Sequence, residues 1–198
     1  MKQRKPGHPG LKILSSLKTL DDLMAQAGHY ADFCLRDFQA MPPTLFLVGD
    51  DRPMMFAQRK LVTADDKEDF ADTARLVCTA HAATACVLAL QGWVKLAKPG
   101  EKLDFTEPPS EAFDRQEMIV LAGEDRSGER QQFFPIIRSD NGNFFNLGDS
   151  KTPAIKNKLE GLYAQILPPS VADQATRKLA RWMLHAKGST IIGLKAQP

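Results

Sequence analysis

The chain has 198 residues, of which 43% are hydrophobic, so it can bury a core in one domain or in one domain with an appendage. No window approaches about 18 uninterrupted apolar residues, so no transmembrane helix is expected. Three cysteines without a CxxC pair, Cys34, Cys78 and Cys86, predict buried thiols in a reducing cytoplasm and argue against a disulfide framework or a zinc site.

Charge is unevenly distributed, although the net charge is only +2. Residues 1–20 hold five Lys and Arg and no Asp or Glu, and residues 151–198 hold eight against two, which leaves −9 for residues 21–150. Residues 1–14, also rich in Pro and Gly, predict a flexible basic tail without the apolar stretch of a secretory signal. An acidic centre between basic ends indicates either two partner surfaces or ends that fold back over the centre.

Two helices separated by a hairpin are predicted in the first part of the chain. Thr19 is the expected N-cap of a helix whose apolar residues recur at helical spacing as far as Phe38. Leu45–Val48 and Met54–Ala57 predict a hairpin. Thr63 is the expected N-cap of the second helix. The apolar stripe predicted for that helix consists of Phe70, Ala74, Val77, Cys78 and His81.

Four more strands are predicted in the middle of the chain. Ala85–Leu90 and Glu117–Ala122 are strand-length apolar runs, with Trp93 just beyond the first and a long loop over residues 95–109. The last two, Gln132–Arg138 and Asn143–Leu147, predict a hairpin around Asn141-Gly142 with a type I′ turn. Within that hairpin Pro135 indicates an edge strand or a bulge.

The C-terminal part, residues 151–198, is predicted to be a helical segment. Ile155–Leu167 is the first expected helix, and Ser170 is the expected N-cap of the second. The apolar side of this last helix consists of Ala175, Leu179, Trp182, Met183 and Ala186. Runs of hairpin strands favour an α+β domain over residues 15–150, with an antiparallel sheet of five or six strands packed by helices, as in profilin, roadblock or PAS-like layouts.

The most distinctive segment is Trp93 to Arg126, where charged residues crowd around a predicted strand. Organising so much charge beside a buried strand is costly unless the charges are paired, solvated or used. The segment therefore supplies the candidate residues for binding a ligand or partner: Trp93, Glu111, Asp114, Arg115, Glu117, Glu124 and Arg126.

The same carboxylates have two interpretations. With Asp125 they supply the hard oxygen ligands of a divalent-metal site or a general acid and base, which predicts a metal-dependent hydrolase or nuclease. The plainer interpretation is a solvated loop whose acids pair with Arg115 and Arg126. Since Glu117 and Glu124 flank one strand, we expect them at its opposite ends. Because no complete catalytic constellation or phosphate loop is found, no cofactor, resident metal or catalytic residue is assigned.

The basic last helix is the second candidate surface. Its cations Arg177, Lys178, Arg181 and Lys187 are suited to phosphate contacts, and the Lys and Arg of the N-terminal tail would add affinity for nucleic acid. A basic amphipathic helix is equally suited to an acidic protein or a membrane surface. A row of cations on a helix is most often simply solvated.

Between Trp93 and Arg126 the chain resembles a family of uncharacterised bacterial proteins often carried on phage and mobile-element genomes. The family pattern is a strand ending near a Trp, a variable loop, Pro-Ser-Glu, an Asp-Arg pair, a Glu, an apolar strand and a Glu-Asp-Arg turn. Here these are Trp93, Pro109–Glu111, Asp114-Arg115, Glu117, Met118–Ala122 and Glu124–Arg126. In the family pattern an acidic residue and an alanine precede the Trp, whereas this chain has Gln91-Gly92 at these positions. The resemblance covers about a sixth of the chain and implies a fold and a site location, with no known activity.

These observations favour a small cytoplasmic binding or accessory protein that acts through protein–protein contacts, and the resemblance implies a phage or mobile-element origin. The alternatives are a nucleic-acid-associated protein that uses the last helix and a metal-dependent hydrolase that uses the carboxylates of residues 111–125. The sequence leaves the oligomeric state open.

Overall fold

The computed structural model describes residues 17–50, 52–58, 61–95, 110–150, 162–188 and 192–193. The predicted basic tail, nearly all of the predicted loop 95–109 and the first part of the predicted helix 155–167 lie outside these residues.

Three helices and seven strands make up the described fold. The helices are α1 (Leu20–Phe38), α2 (Ala64–Ala80) and α3 (Gln174–Ala186). The strands are β1 (Thr44–Gly49), β2 (Arg52–Ala57), β3 (Ala85–Val94), β4 (Gln116–Asp125), β5 (Gly128–Arg138), β6 (Phe144–Leu147) and β7 (Ile192–Gly193).

The strands form one antiparallel sheet in the order β6-β5-β4-β3-β1-β2-β7. Six strands have four to eleven residues, and β7 adds two residues at the edge beside β2. The predicted α+β architecture, an antiparallel sheet packed by helices, is confirmed. None of the three helices in the described part of the chain has the length and apolarity that a membrane span requires.

The helix α1 covers one face of the sheet. Thr19 caps it as predicted, in a capping box in which the Thr19 hydroxyl accepts from the Asp22 N–H and the Asp22 carboxylate accepts from the Thr19 N–H. Leu20 and Met24 pack so closely over Gly123 of β4 that a Cβ there would lie 2.8 Å from the Leu20 Cδ1 atom. The inner side of α1 and the β1, β3 and β4 side chains beneath it form one of the two buried clusters.

The helices α2 and α3 and residues 162–169 belong to the opposite face. Thr63 caps α2 with a second capping box, and Phe70, Val77 and Cys78 of α2 are fully buried against β1 and β3. The same buried cluster includes Ile166 and Leu167, together with Ala180 and Leu184 of α3. The described residues of the C-terminal segment therefore share the core of the sheet domain.

Five local predictions are corrected by the structure. Trp93 lies within β3, because that strand runs to Val94. Pro135 is on an interior strand, where the N–H that a proline lacks would point towards β6. Its neighbour on that side is Gly148, which lies just past the end of β6 and donates its N–H to the Pro135 carbonyl, so β5 tolerates the proline at this position. The turn at Asn141-Gly142 is not type I′, since of these two residues only Gly142 has a positive φ (82°). The Ser139 N–H instead donates to the Asn143 carbonyl around a longer loop.

The fourth and fifth corrections concern the C-terminal segment. Residues 162–167 are turns and irregular backbone and not the end of a helix, since Ile166 and Leu167 donate their N–H groups to a side chain of the sheet. The last helix is capped by Asp173, whose carboxylate accepts from the Thr176 N–H, and not by Ser170.

Candidate functional site

The structure brings four of the predicted site residues, Trp93, Asp114, Arg115 and Glu117, to one end of the β3–β4 ladder. This group is called the signature corner below. Trp93 and Glu117 are direct partners across the ladder. Arg115 precedes β4, and its guanidinium carbon lies 4.5 Å from the centroid of the Trp93 ring. Since Trp93 is 44% exposed, the contact is a cation–π pair at the surface, worth about 0.5–1 kcal/mol.

Glu117 is the best-bound carboxylate of the corner. Its Oε2 accepts from the Arg138 Nε at 2.7 Å, and its Oε1 accepts from the Arg138 Nη2 and the Gln91 Nε2, both at 2.8 Å. The hydrogen bonds from Arg138 hold the pKa of Glu117 below its ordinary value, against the opposing effect of burial. A carboxylate held charged by three donors fixes geometry and is poorly suited to be a general acid.

The hydrogen bonds of Glu117 extend to the end of α1. The Gln91 Oε1 accepts from the Met41 N–H at 2.7 Å, and the Arg138 Nη2 reaches the Gln39 carbonyl at 3.5 Å. Gln39 in turn accepts from the Phe144 N–H of β6 at 2.7 Å. Glu117 therefore joins β3, β5 and the C-terminal end of α1.

Residues 110–115 of the signature segment form the turn before β4. The Asp114 Oδ1 is 3.7 Å from the Lys95 Nζ. Glu111 is exposed, whereas its neighbour Ala112 is buried and holds the turn against the protein. Phe113 is fully exposed. These contacts order the turn.

Glu124 and Arg126 lie at the other end of β4, as expected from their spacing. Glu124 is 6% exposed, and its two oxygens accept from the Ile166 and Leu167 N–H groups at 3.1 and 2.8 Å. Arg126 donates to the carbonyls of Pro168 and Ala83. These two residues hold the segment before α3 on the sheet, and a groove of about 510 Å³ runs beside them between residues 124–129 and 165–169.

The predicted carboxylate cluster is thus split between the two ends of β4. Glu111, Asp114 and Glu117 lie at the first end, and Glu124 and Asp125 at the second. Among the residues that the structure describes, no group of three His, Cys, Asp or Glu side chains is placed to hold a metal ion. The metal-dependent hydrolase stays a prediction without an assembled site in this part of the chain.

Three of the four predicted nucleic-acid contacts on α3 pair with carboxylates of the protein itself. Arg177 and Arg181 both contact the Asp50 carboxylate at the tip of the β1–β2 hairpin, and Arg181 also donates to the Ala80 carbonyl. Lys187 pairs with Asp69 of α2. The fourth, Lys178, is exposed and makes no ion pair within the described residues. These contacts hold α3 against α2 and the hairpin.

The apolar side predicted for α3 faces solvent and not the core. Leu179 is 57% exposed, Trp182 is 67% exposed and Met183 is 39% exposed. The buried positions of α3 are Ala180 and Leu184, which lie roughly opposite Trp182 on a helix of 3.6 residues per turn. The exposed stripe, called the outward face below, consists of Ala175, Leu179, Trp182, Met183 and Ala186.

The sequence predicts this apolar stripe but leaves open whether residues 151–198 pack on the core or reach another molecule, so the exposure of the stripe could not be foreseen. The signal that distinguishes the two sides is the pair Ala180 and Leu184, four residues apart and flanked by Arg177, Arg181 and Lys187. Those cations reach the acidic side chains of the hairpin and of α2, so they fix which side of the helix turns inward.

The three cysteines and His81 have structural surroundings. Cys34, Cys78 and Cys86 are free, buried thiols. Burial raises the pKa of the Cys34 thiol. The pKa of the Cys86 thiol is raised mainly by its hydrogen bond with Cys78 and further by burial. His81 follows α2, and burial lowers its pKa although Asp50 lies 3.4 Å from its Nδ1. Among the described residues these groups give no activated nucleophile.

Comparison with known proteins adds no assignment. No protein-family model matches the chain, and neither the curated proteins nor the solved structures include a significant match. The family resemblance of residues 93–126 and the functions weighed from the sequence therefore stay predictions.

Proposed function

We propose that this chain is a cytoplasmic binding or accessory protein that acts through protein–protein contacts, with the outward face of α3 as its main contact surface. The observation that carries the proposal is the exposure of Leu179, Trp182 and Met183 side by side on one helix. Large apolar side chains grouped on a surface are typical of interaction sites, and Trp is enriched where interfaces gain most of their binding energy.

The attachment of α3 also supports this proposal. The helix is held by Ala180 and Leu184 in the core and by ion pairs to Asp50 and Asp69. A surface on a fixed helix loses little conformational entropy when a partner binds, which favours affinity. The signature corner, with Trp93 and Arg115, supplies a second and smaller candidate surface.

The test is co-purification of the tagged full chain from the cells that naturally make it, after nuclease treatment. The double variant Leu179→Ser/Trp182→Ser is compared with wild type and with Phe145→Ser. Phe145 on β6 is the matched control because it is 67% exposed, as Trp182 is, and lies on another element. We expect a nuclease-resistant protein partner that the double variant loses and the control keeps.

Two results would overturn the proposal. The double variant could recover the same proteins as wild type while keeping its circular dichroism spectrum, in which case α3 is not the contact surface. Alternatively, the associated material could disappear with nuclease, which would favour the nucleic-acid alternative and direct the next substitutions to Lys178 and Arg181.

A further inference from the structure

We infer that the outward face of α3 binds an acidic amphipathic helix of a partner protein. This inference rests on the proposed function and deepens it by naming the class of partner. It is carried by the spacing of the apolar side chains, the charge beside them and the charge of the neighbouring helix.

The spacing of the apolar residues fits a helical partner. Ala175, Leu179, Trp182 and Ala186 follow one another at intervals of four, three and four residues, which is the alternation of core positions in a two-helix seam. The 13 residues of α3 span roughly 20 Å, about three and a half turns. Leu179 and Trp182 supply large contact surfaces at the centre of this length. The alanines at both ends are small, so a second helix can approach closely there.

The charge beside the apolar stripe selects an acidic partner. Lys178, Arg181 and His185 follow one edge of the outward face, at intervals of three and four residues. The Arg181 side chain is half exposed even though it contacts Asp50, and Lys178 and His185 are exposed without an ion pair in the described part of the chain. Carboxylates at the flanking positions of a partner helix would pair with the charges of Lys178 and Arg181, and this edge is called the cation edge after these two residues.

A second copy of the chain fits this face poorly. In a symmetric antiparallel pair of α3 helices the same edges meet, so each cation edge would lie against its own copy. Opposed like charges at flanking positions disfavour a helix pair. The charge therefore favours a different chain with the opposite sign.

A membrane surface also fits poorly, because α2 lies beside α3 and exposes acidic residues. Asp65, Glu68, Asp69 and Asp72 are all exposed, and Asp69 is in direct contact with Lys187. An anionic bilayer meets the whole surface at once and would be repelled by these carboxylates. A single helix needs to meet only the outward face and its cation edge.

The test uses the fluorescence of Trp182 as the reporter. The full chain has two tryptophans and carries the substitution Trp93→Phe, so that Trp182 is the one that remains. The probes are two designed helical peptides with the same leucine seam, one with Glu and one with Lys at the flanking positions. We expect a saturable shift of the Trp182 emission to shorter wavelength, with about tenfold tighter binding of the Glu peptide at low salt.

Charge reversal gives the specific control. The variant Lys178→Glu/His185→Glu should invert the preference and bind the Lys peptide more tightly. Lys18→Glu, an exposed position before α1 on the other face, should leave the preference unchanged. Equal binding of both peptides, or no binding of either, would overturn the inference.

Other occupants of the face give distinct results. A Trp182 shift with phosphatidylserine vesicles and not with the Glu peptide would assign the face to membranes. If acrylamide fails to quench Trp182 in the free chain, the protein covers the outward face itself. Protection that depends on protein concentration would mean that a second copy covers the face, and protection that does not would mean that the same chain covers it. If these tests fail while the Leu179→Ser/Trp182→Ser variant still loses its native partner, only the class of partner is wrong.

Discussion

The helices α2 and α3 both carry an apolar stripe at helical spacing, and the two stripes have opposite fates. The stripe of α2 is buried, with Phe70, Val77 and Cys78 fully inaccessible. The stripe of α3 faces solvent, and the helix contacts the core through Ala180 and Leu184. Apolar periodicity therefore locates a face that must be covered for stability or used for binding, and it does not say which.

Polar contacts decide which side of each helix is buried. The acidic residues of α2 lie on its outer side, so its stripe can turn to the sheet without burying charge. On α3 the cations that reach Asp50 and Asp69 flank Ala180 and Leu184, so pairing those charges places the smaller apolar side inward. Both arrangements avoid leaving a buried charge unpaired.

The largest effect that tests this comparison is expected within α3 itself. Leu184→Ala should lower the free energy of unfolding by about 2–5 kcal/mol, because Leu184 is 3% exposed and its loss leaves a cavity. Leu179→Ala, the same substitution at a 57% exposed site, should change it by less than about 0.5 kcal/mol. Urea unfolding of the two variants measures the difference, and similar losses would mean that the stripe is buried.

The next effect concerns the carboxylate beneath the segment that leads into α3. Glu124→Gln should cost about 1–3 kcal/mol, because the amide replaces one of the two oxygens that accept the buried N–H groups of Ile166 and Leu167. Glu68→Gln on the exposed side of α2 is the control and should be nearly neutral. A neutral Glu124→Gln in urea unfolding would show that this anchor does not stabilise the fold.

Most of the fold follows from local patterns in the sequence. The two Thr caps, the buried runs of β1, β3 and β4 and the alternation of turns and strands depend on residues close in the chain, and they predict the α+β sheet. The anchors Glu124 and Asp50 could not be predicted, since the C-terminal residues that they hold, Ile166 and Arg177, lie 42 and 127 residues away. The orientation of α3 depends on such long-range pairs, which is why the sequence leaves open which side of this helix packs on the core.

The candidate site was predictable only in part, for the same reason. The pairing of Trp93 with Glu117 follows from two strands on either side of a loop, so their proximity is implied by the sheet. The role of Glu117 as a clamp depends on Arg138 and Gln91, which no local pattern connects to it. The outward face of α3 was visible in the sequence, but its exposure was not.

A smaller effect is expected from the Glu117 clamp, and it depends on pH. The ordinary pKa of a glutamate is 4.5, and that of Glu117 is lower in the folded protein. Its charged form therefore stabilises the fold fully above pH 4.5, and this stability is lost as the pH falls through the folded pKa. Glu117→Gln should cost about 1 kcal/mol at neutral pH.

The pH dependence distinguishes the clamp from a general effect of acid. The difference in unfolding free energy between wild type and Glu117→Gln should narrow as the pH is lowered from about 5 towards 3. Glu111→Gln, an exposed residue of the preceding turn, is the control and should track wild type across the series. A constant gap for Glu117→Gln would mean that its charge does not contribute.

The smallest expected effect separates the two tryptophans of the chain. Trp93 has the Arg115 guanidinium over its ring, whereas the more exposed Trp182 has no such cation among the described residues. A double-mutant cycle of Trp93→Leu and Arg115→Gln should give a coupling of roughly 0.5 kcal/mol in urea unfolding. The control cycle of Trp93→Leu with Arg36→Gln, whose guanidinium lies over Phe144 instead, should give none. Coupling in the first cycle would show that the fold partly uses the surface of Trp93, and its absence would make Trp93 as available to a partner as Trp182.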